Sequence, residues 1–274
     1  MKHKIILSLF TFICLFVLSS HDLFIKMDSF YLGSNTESTI HLYNGTFGKS
    51  EVILARDRML DVSLINPGEK VIHPDNSHWY EENNQTLIKF KTGGNGTGIF
   101  GVSTLARVND FTPENFISNM KHEGLFEVLE ARKKAGEEGN SVKKKYSKHV
   151  KAIYQVGREL SDDYKTVLGH PIEFVPINNP YGVKTGEELS MQLLIDGKPA
   201  SGEMVYASYN DKFGHAEDTA LDVYQIKTDN DGIVTIKISD RGHWYFRTVN
   251  LKKSSEKDAE YISLSASLTF EVRY

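Results

Sequence analysis

From Gly169 to the C-terminus the sequence is a close succession of short strand-forming segments separated by turn residues. The connections include Asn179-Pro180, Asp196-Gly197 and Asp231-Gly232, which are strong turn signals. So many short segments in about 100 residues favour a β-sandwich of the immunoglobulin or transthyretin type. Seven strands are predicted, over Ile172–Ile177, Glu188–Ile195, Met204–Tyr209, Leu221–Thr228, Ile233–Ser239, Trp244–Asn250 and Ser263–Val272.

The segment from His21 to about Arg107 also has the pattern of short strands and turns. The glycine-rich stretch Lys91–Gly98 lacks the strand-to-helix context of a phosphate loop, so we interpret it as a connection between strands. Strands are predicted over Ser38–Tyr43, Val52–Leu54, Leu60–Ile65 and Thr86–Phe90, and the apolar run Ile99–Val108 follows the glycine-rich stretch.

Between these two β regions the hydrophobic period changes. Thr112 followed by Pro113 predicts a helix start, with Thr112 as the N-cap. A second helix is predicted over Val142–Leu160, with Lys143-Lys144-Lys145 on its solvated face. The apolar residues at near-helical spacing after Pro113 are Phe116, Met120, Leu125, Val128 and Leu129.

These patterns predict a mainly β fold, with two β-sandwich domains and a two-helix insertion between them. The predicted boundaries are a signal peptide over 1–20, an N-terminal β domain over 21–110, a helical segment over 111–165 and a C-terminal β-sandwich domain over 166–274.

The amino terminus has the features of a secretory leader. Lys2 and Lys4 precede an apolar run from Ile5 to Leu18, and Ser19-Ser20 then offers small residues for cleavage. The run is too short to span a bilayer, which takes about 20 apolar residues. We therefore expect a protein exported to the periplasm or cell envelope that is not itself transmembrane after processing. Cleavage after Ser20 would make His21 the first residue, whereas cleavage one or two residues earlier would leave Ser-His or Ser-Ser-His.

Composition limits the chemistry of the processed chain. Cys14 is the sole cysteine and lies within the leader, so the remainder has neither a disulfide nor a thiolate metal site. Without Lys2 and Lys4 the chain has 30 basic and 36 acidic residues, a net charge of −6 with neutral histidines. This balance argues against a nucleic-acid-binding protein. A metal would have to be held by nitrogen and oxygen ligands, which suit nickel, cobalt, copper or zinc.

His21 is the first candidate metal ligand. As the terminal residue it would supply both an α-amine and an imidazole, which together chelate a divalent transition metal. His243, at a strand start after Arg241-Gly242, is the preferred second ligand, and His215 in a polar loop is its rival. Asp22 could orient His21 or act as a weak carboxylate ligand. Each of these residues also has a purely structural interpretation.

The remaining histidines give weaker signals. His73 and His78 flank a polar loop and are interpreted as surface residues, and His41 as a strand residue. His122 and His149 fall on predicted helices with no histidine four residues away, so neither forms the usual helical metal pair. The calcium-like sequence Asp229–Gly232 lacks the downstream glutamate and is predicted to be a β-turn. No Ser-His-Asp or Cys-His signature is tied to a recognisable turn, and no catalytic residue is predicted.

Several motifs in the chain resemble one family of secreted bacterial proteins. The most specific is Leu168–Pro176 followed by Asn179-Pro180-Tyr181, and His21–Phe24 resembles the family's "HDFW" mature start, with Phe24 in place of tryptophan. The family is a domain-of-unknown-function (4198) family, described as a periplasmic component of cobalt/nickel ABC-type transport (NikM-like). Further matches are Tyr146–Lys151, Gly186–Ala200, Thr228–Gly232, Gly242–Trp244 and Ala266–Glu271.

The resemblance and the position of His21 together predict an accessory protein of metal uptake rather than an enzyme. Its expected ligand is Ni(II) or Co(II), with Cu(II) as a further alternative, and its expected partner is a membrane transporter. Two other classes stay open at this point. One is a non-catalytic envelope binding or scaffold module, and the other is a copper protein with a histidine brace.

Overall fold

The computed structural model describes residues 21–210 and 223–274. Within these ranges the chain is mainly β with two α-helices, which confirms the predicted fold class. The strands are β1 Asp22–Lys26, β2 Tyr31–Leu32, β3 Glu37–Gly45, β4 Met59–Ile65, β5 Trp79–Glu82, β6 Gln85–Lys91, β7 Gly96–Thr104, β8 Arg107–Phe111, β9 Val142–Val156, β10 Ile172–Pro176, β11 Glu188–Ile195, β12 Lys198–Pro199, β13 Met204–Tyr209, β14 Tyr224–Lys227, β15 Ile233–Lys237, β16 Gly242–Lys253 and β17 Tyr261–Val272. The helices are α1 Pro113–His122 and α2 Phe126–Lys134.

The described strands form three sheets. A nine-stranded sheet has the order β14-β13-β16-β17-β9-β7-β4, with β2 and β8 also paired to β9. The second sheet has the order β1-β3-β6-β5, and the third consists of β10, β11, β12 and β15. Most neighbours are antiparallel, but β9 runs parallel to β17 and to β2.

The nine-stranded sheet lies between the other two and contributes to both main cores. Ala152 and Tyr154 on β9 pack with residues of the β1-β3-β6-β5 sheet. Ile153, which points to the opposite face of the same strand, packs with residues of the β10-β11-β12-β15 sheet. The two sandwiches therefore share their middle layer.

The predicted second helix over Val142–Leu160 is wrong, because residues 142–156 form the long strand β9. This strand pairs with β17 on one side and with β7 and β8 on the other. Valine, isoleucine and tyrosine fit a pleated surface better than a helix. From His149 to Val156 every residue is buried, as expected of a strand covered on both faces.

The predicted helix start at Thr112 is confirmed, since its side chain accepts a hydrogen bond from the backbone N–H of Asn115. The apolar spacing from Phe116 to Leu129 does not form one continuous helix. Gly124 adopts a positive φ of 72° after the end of α1, and α2 begins at Phe126. Both helices thus fall inside the span that the sequence pattern assigned to the first predicted helix.

In the C-terminal region, every predicted strand overlaps an observed one within the described residues. The short strand β12 was not predicted. In the N-terminal region Val52–Leu54 was predicted as a strand but is irregular, whereas the other three predicted strands correspond to β3, β4 and β6.

Strand β1 is anchored against the nine-stranded sheet. Ser267 and Thr269 of β17 donate side-chain hydrogen bonds of 2.7 Å to the carbonyls of Leu23 and Ile25. Four of the five residues of β1 are buried. His21, which immediately precedes β1, is thereby held at a defined place on the molecule.

Candidate functional site

A cavity of about 380 Å³ lies beside His21 at the start of β1. We call it the N-terminal pocket. Its walls come from the segment around Val52–Arg58 and from β8, β9, β16 and β17. Its charged and titratable lining residues are His21, Asp22, Arg58, Arg107, Glu123, Lys144, Tyr146 and Lys148.

His21 contacts the pocket with a partly exposed side chain. Its Nε2 lies 2.6 Å from Oε2 of Glu51, and the imidazole retains 26% of its exposure. Its backbone carbonyl accepts a hydrogen bond from Nζ of Lys148, which also donates to Oδ1 of Asn44 at 2.8 Å. These contacts fix both the ring and the backbone of this residue.

A buried ion network lies next to His21. Nη1 of Arg247 is 3.1 Å from Asp22 Oδ2 and 3.1 Å from Glu123 Oε2. The guanidinium also lies 4.6 Å from the ring centroid of Tyr206. Burial raises the pKa of Asp22 to about 6, although Arg247 opposes the shift. Burial alone would lower the pKa of Arg247, but the two carboxylates outweigh it and raise that pKa.

Lys144 and Lys148 of β9 both reach the pocket, because residues four apart in a strand lie on the same face. Lys144 is 6% exposed and donates a hydrogen bond of 2.5 Å to Oδ1 of Asn119. Burial lowers the pKa of Lys144 to about 8, against the opposing charge of Glu123. Burial lowers the pKa of Lys148 to about 8 as well, against the opposing charges of Asp22 and Glu123 and with Arg58 and Lys144 adding to the lowering.

Arg58 completes the basic side of the pocket. It is 6% exposed, and Nη1 lies 3.4 Å from the hydroxyl of Tyr146, over whose ring the guanidinium sits. Nε of Arg58 has no hydrogen-bond partner in the described part of the chain, and the same holds for Nδ2 of Asn119. Unpartnered buried donors of this kind are uncommon in folded proteins.

The structure does not bring His243 to this pocket. His243 lies opposite Glu271 of β17, 3.9 Å from its carboxylate, and its ring packs on Phe30. His21 lies at the pocket near Ser265, which is also on β17 but six residues before Glu271. At about 3.3 Å per residue along a strand, Ser265 and Glu271 are about 20 Å apart, so the two histidines are far from each other. Two ligands of one metal ion lie only about 4 Å apart, because each bond is about 2 Å long.

The other candidate histidines lie elsewhere. His215 falls outside the described residues. His73 contacts Asp61 at 2.9 Å on the surface, and His41 of β3 contacts Gln85 at 2.9 Å.

His149, predicted on a helix, is instead buried on β9 between the hydroxyls of Ser103 and Ser147, each at 2.8 Å.

No group of three or more histidine, cysteine, aspartate or glutamate side chains is arranged to hold a metal ion within 21–210 and 223–274. The Asp229–Gly232 segment is a tight turn in which Oδ1 of Asp229 accepts the backbone N–H groups of Asp231 and Ile233, which confirms the turn prediction. Side chains alone thus supply no complete metal site in the described residues.

The basic residues of the pocket were missed in the sequence. Lys143-Lys144-Lys145 was predicted to be a solvated helix face, but Lys144 is buried while Lys143 is exposed. The available signal was the alternation of Lys144, Tyr146 and Lys148, which places all three on one face of a strand. Arg58 gives no comparable signal.

None of the described helices is long and apolar enough to cross a membrane. Solved structures give only distant similarity. Salmonella α-2-macroglobulin reacted with methylamine has 10% identity and a TM-score of 0.25, with 92% of this chain and 15% of that chain covered. Escherichia coli α-2-macroglobulin activated by porcine elastase has 10% identity and a TM-score of 0.24, with 93% and 20% covered. The chain thus spans no more than a fifth of these proteins.

No curated protein is significantly similar in sequence. The family model described as a domain of unknown function, DUF4198, matches residues 18–252. That match covers most of the chain, including β1 and all strands up to β15, whereas β17 and the pocket residues Ser263 and Ser265 lie beyond it. The chain therefore belongs to the DUF4198 family.

Proposed function

We propose that this protein is a secreted, envelope-located accessory protein that binds a divalent transition metal at a terminus starting with His21. The metal is Ni(II) or Co(II), with Cu(II) as the alternative, and the recipient is a membrane transporter. The observation that carries the proposal is the contact of 2.6 Å between Glu51 Oε2 and His21 Nε2 beside the N-terminal pocket.

The contact with Glu51 favours one protonation pattern of the imidazole. A ring nitrogen this close to a carboxylate carries the hydrogen, so Nε2 donates, and in the neutral ring Nδ1 then keeps its lone pair. Nδ1 is the ring nitrogen that can form a chelate ring with the α-amine of the same residue. Nitrogen donors of this type suit Ni(II), Co(II) and Cu(II).

The anchoring of β1 supports the same proposal. Lys148 holds the carbonyl of His21, and hydrogen bonds from β17 hold the following residues. A terminus fixed in this way loses little further freedom when a metal binds, which favours affinity. The amine and Nδ1 supply two ligands, and the remaining positions are open to backbone groups, solvent or an anion in the pocket. His243 has no part in this proposal.

The proposal is tested by calorimetric titration of Ni(II), Co(II) and Cu(II) into the exported protein. We expect one-to-one binding that is lost in His21→Ala and weakened at least tenfold in Glu51→Gln. His243→Ala is the matched control and should bind like the wild type. Equal affinity in wild type and His21→Ala would contradict the proposal.

A further inference from the structure

Among the residues that the structure describes, three cationic side chains of the N-terminal pocket form no salt bridge. Arg58, Lys144 and Lys148 all line it. No carboxylate lies within 4 Å of any of the three in the described ranges. Their contacts are instead with neutral groups: a tyrosine hydroxyl, two asparagine oxygens and a backbone carbonyl.

The carboxylates at the pocket do not supply the missing charge. Asp22 and Glu123 both lie 3.1 Å from Arg247, so one guanidinium is shared between them. Arg107 at the exposed rim lies 3.8 Å from Asp57. Beyond these pairings, Arg58, Lys144 and Lys148 have no direct ion-pair partner among the described residues, although Asp22 and Glu123 partly offset the charges of the two lysines from a greater distance.

Burying such charges without a counter-ion is costly, and buried charges in proteins are normally paired. Arg58 and Lys144 are each only 6% exposed. The lowered pKa of Lys144 agrees with a cationic group removed from water without full compensation. The unpartnered Nε of Arg58, a lining residue, is a donor, as an anion would require.

The size and lining of the pocket indicate the kind of anion. Its volume of about 380 Å³ is that of about a dozen water molecules at about 30 Å³ each. Val52, Leu54 and Val249 provide apolar wall, while Ser263 and Ser265 add hydroxyl groups. A carbon skeleton fits such a lining, whereas an inorganic ion would leave the apolar wall unused.

We propose that the N-terminal pocket is a binding site for a small organic anion that carries two or more carboxylate groups, held by Arg58, Lys144 and Lys148. The inference goes beyond the metal proposal and does not depend on it, because these three residues make no use of the amine or ring of His21. An anion bound here would also offset the repulsion between the three cations and a metal at His21.

The test is calorimetric titration of citrate, succinate and inorganic phosphate into metal-free, full-length processed protein at low ionic strength. We expect citrate to bind one-to-one, and Lys144→Met and Lys148→Gln each to weaken it at least tenfold. Lys198→Gln, which removes the same charge from the exposed strand β12, is the matched control and should leave binding unchanged. Absence of citrate and succinate binding, or equal affinity in all variants, would overturn the proposal. So would phosphate binding as tightly as citrate.

A measurement on the wild type covers the case in which a lysine variant fails to fold. Because the proposed attraction is between opposite charges, raising the ionic strength from about 0.01 M to about 1 M shortens the screening length and should weaken citrate binding at least tenfold. Unchanged affinity would overturn the proposal.

The metal-free conditions separate this proposal from the proposed function. If the wild-type protein binds nickel but not citrate, the anion site alone is rejected. Citrate binding in a protein that takes no metal would reject the metal site alone.

Discussion

At the scale of single residues, the middle of the molecule contains two histidines that are held neutral. His149 and His170 are 2% and 5% exposed, and their ring centroids are 5.9 Å apart. Burial lowers the pKa of His149 to about 3 and that of His170 to about 4. Neither ring nitrogen of His170 has a hydrogen-bond partner in the described ranges. Both rings therefore resist protonation while the protein is folded.

We predict that the free energy of unfolding falls as the pH falls from about 6.5 toward 4. In the unfolded chain these histidines take up protons near pH 6.5, whereas in the folded protein they do so only near pH 3 to 4. The proton uptake favours unfolding by about 2 kcal/mol per histidine at pH 5. Urea unfolding at pH 7 and pH 5 measures this loss. His170→Leu should remove about 2 kcal/mol of the change between pH 7 and pH 5, and an unchanged dependence in that variant would contradict the assignment.

A second residue-scale prediction concerns Arg247. Arg247→Met leaves the carboxylates of Asp22 and Glu123 buried without their cation, and loss of one partner of a buried pair costs about 3–5 kcal/mol. The loss should be smaller at pH 5, because Asp22 has a pKa of about 6 and becomes neutral there. Chemical unfolding at the two pH values checks both statements. A loss below about 1 kcal/mol at pH 7 would show that the network is not stabilising.

At the scale of elements, the packing of β7 on β9 depends on a glycine. A Cβ added at Gly98 would lie 2.3 Å from the ring of Tyr154, which is fully buried. Gly98→Ala should therefore destabilise the protein by about 1–3 kcal/mol, as overpacked cores do.

Gly94→Ala is the matched control for this prediction. Gly94 lies just before β7, and a Cβ there would meet nothing within 4 Å. Thermal unfolding of the two variants should show a clear loss for Gly98→Ala and almost none for Gly94→Ala. Equal effects would show that Tyr154 moves aside at little cost.

The elements also differ in how far the sequence predicts them. The C-terminal strands alternate and are separated by turn residues such as Asp196-Gly197, so local chemistry is sufficient to predict them. Strand β9 is buried on both faces from His149 onward and loses its two-residue alternation there. Its apolar residues then match a helix as well as a strand, and only its pairing with β7 and β17 decides between the two.

The candidate site was predictable only in part for the same reason. The place of His21 follows from the leader pattern, but the pocket beside it depends on β9 being a strand. A helix over the same residues would have placed Lys144 and Lys148 on its surface. The contact between His21 and Glu51 joins residues that no short motif relates.

At the scale of the whole molecule, the shared sheet ties the two cores together. Trp79 belongs to the core on one side of this sheet and Trp244 to the core on the other. These are the two tryptophans of the chain. Because β9 contributes side chains to both cores, separation of one would expose the other.

We therefore predict that both cores unfold in a single transition. The variants Trp79→Phe and Trp244→Phe each keep one tryptophan, whose fluorescence reports one core. After correction for the change in stability, their urea midpoints should agree with the midpoint from circular dichroism of the same variant. A tryptophan that unfolds well before the loss of secondary structure would contradict the shared core.

The central functional claim is that a free amine on His21 binds the metal together with its imidazole. The most direct measurement compares Ni(II) titration of two forms whose termini are confirmed by mass: one that starts at His21 and one extended by four glycine and serine residues. We predict tight one-to-one binding by the first form and at least a hundredfold weaker binding by the second. Equal binding by both forms, or no binding by the form that starts at His21, would contradict the claim.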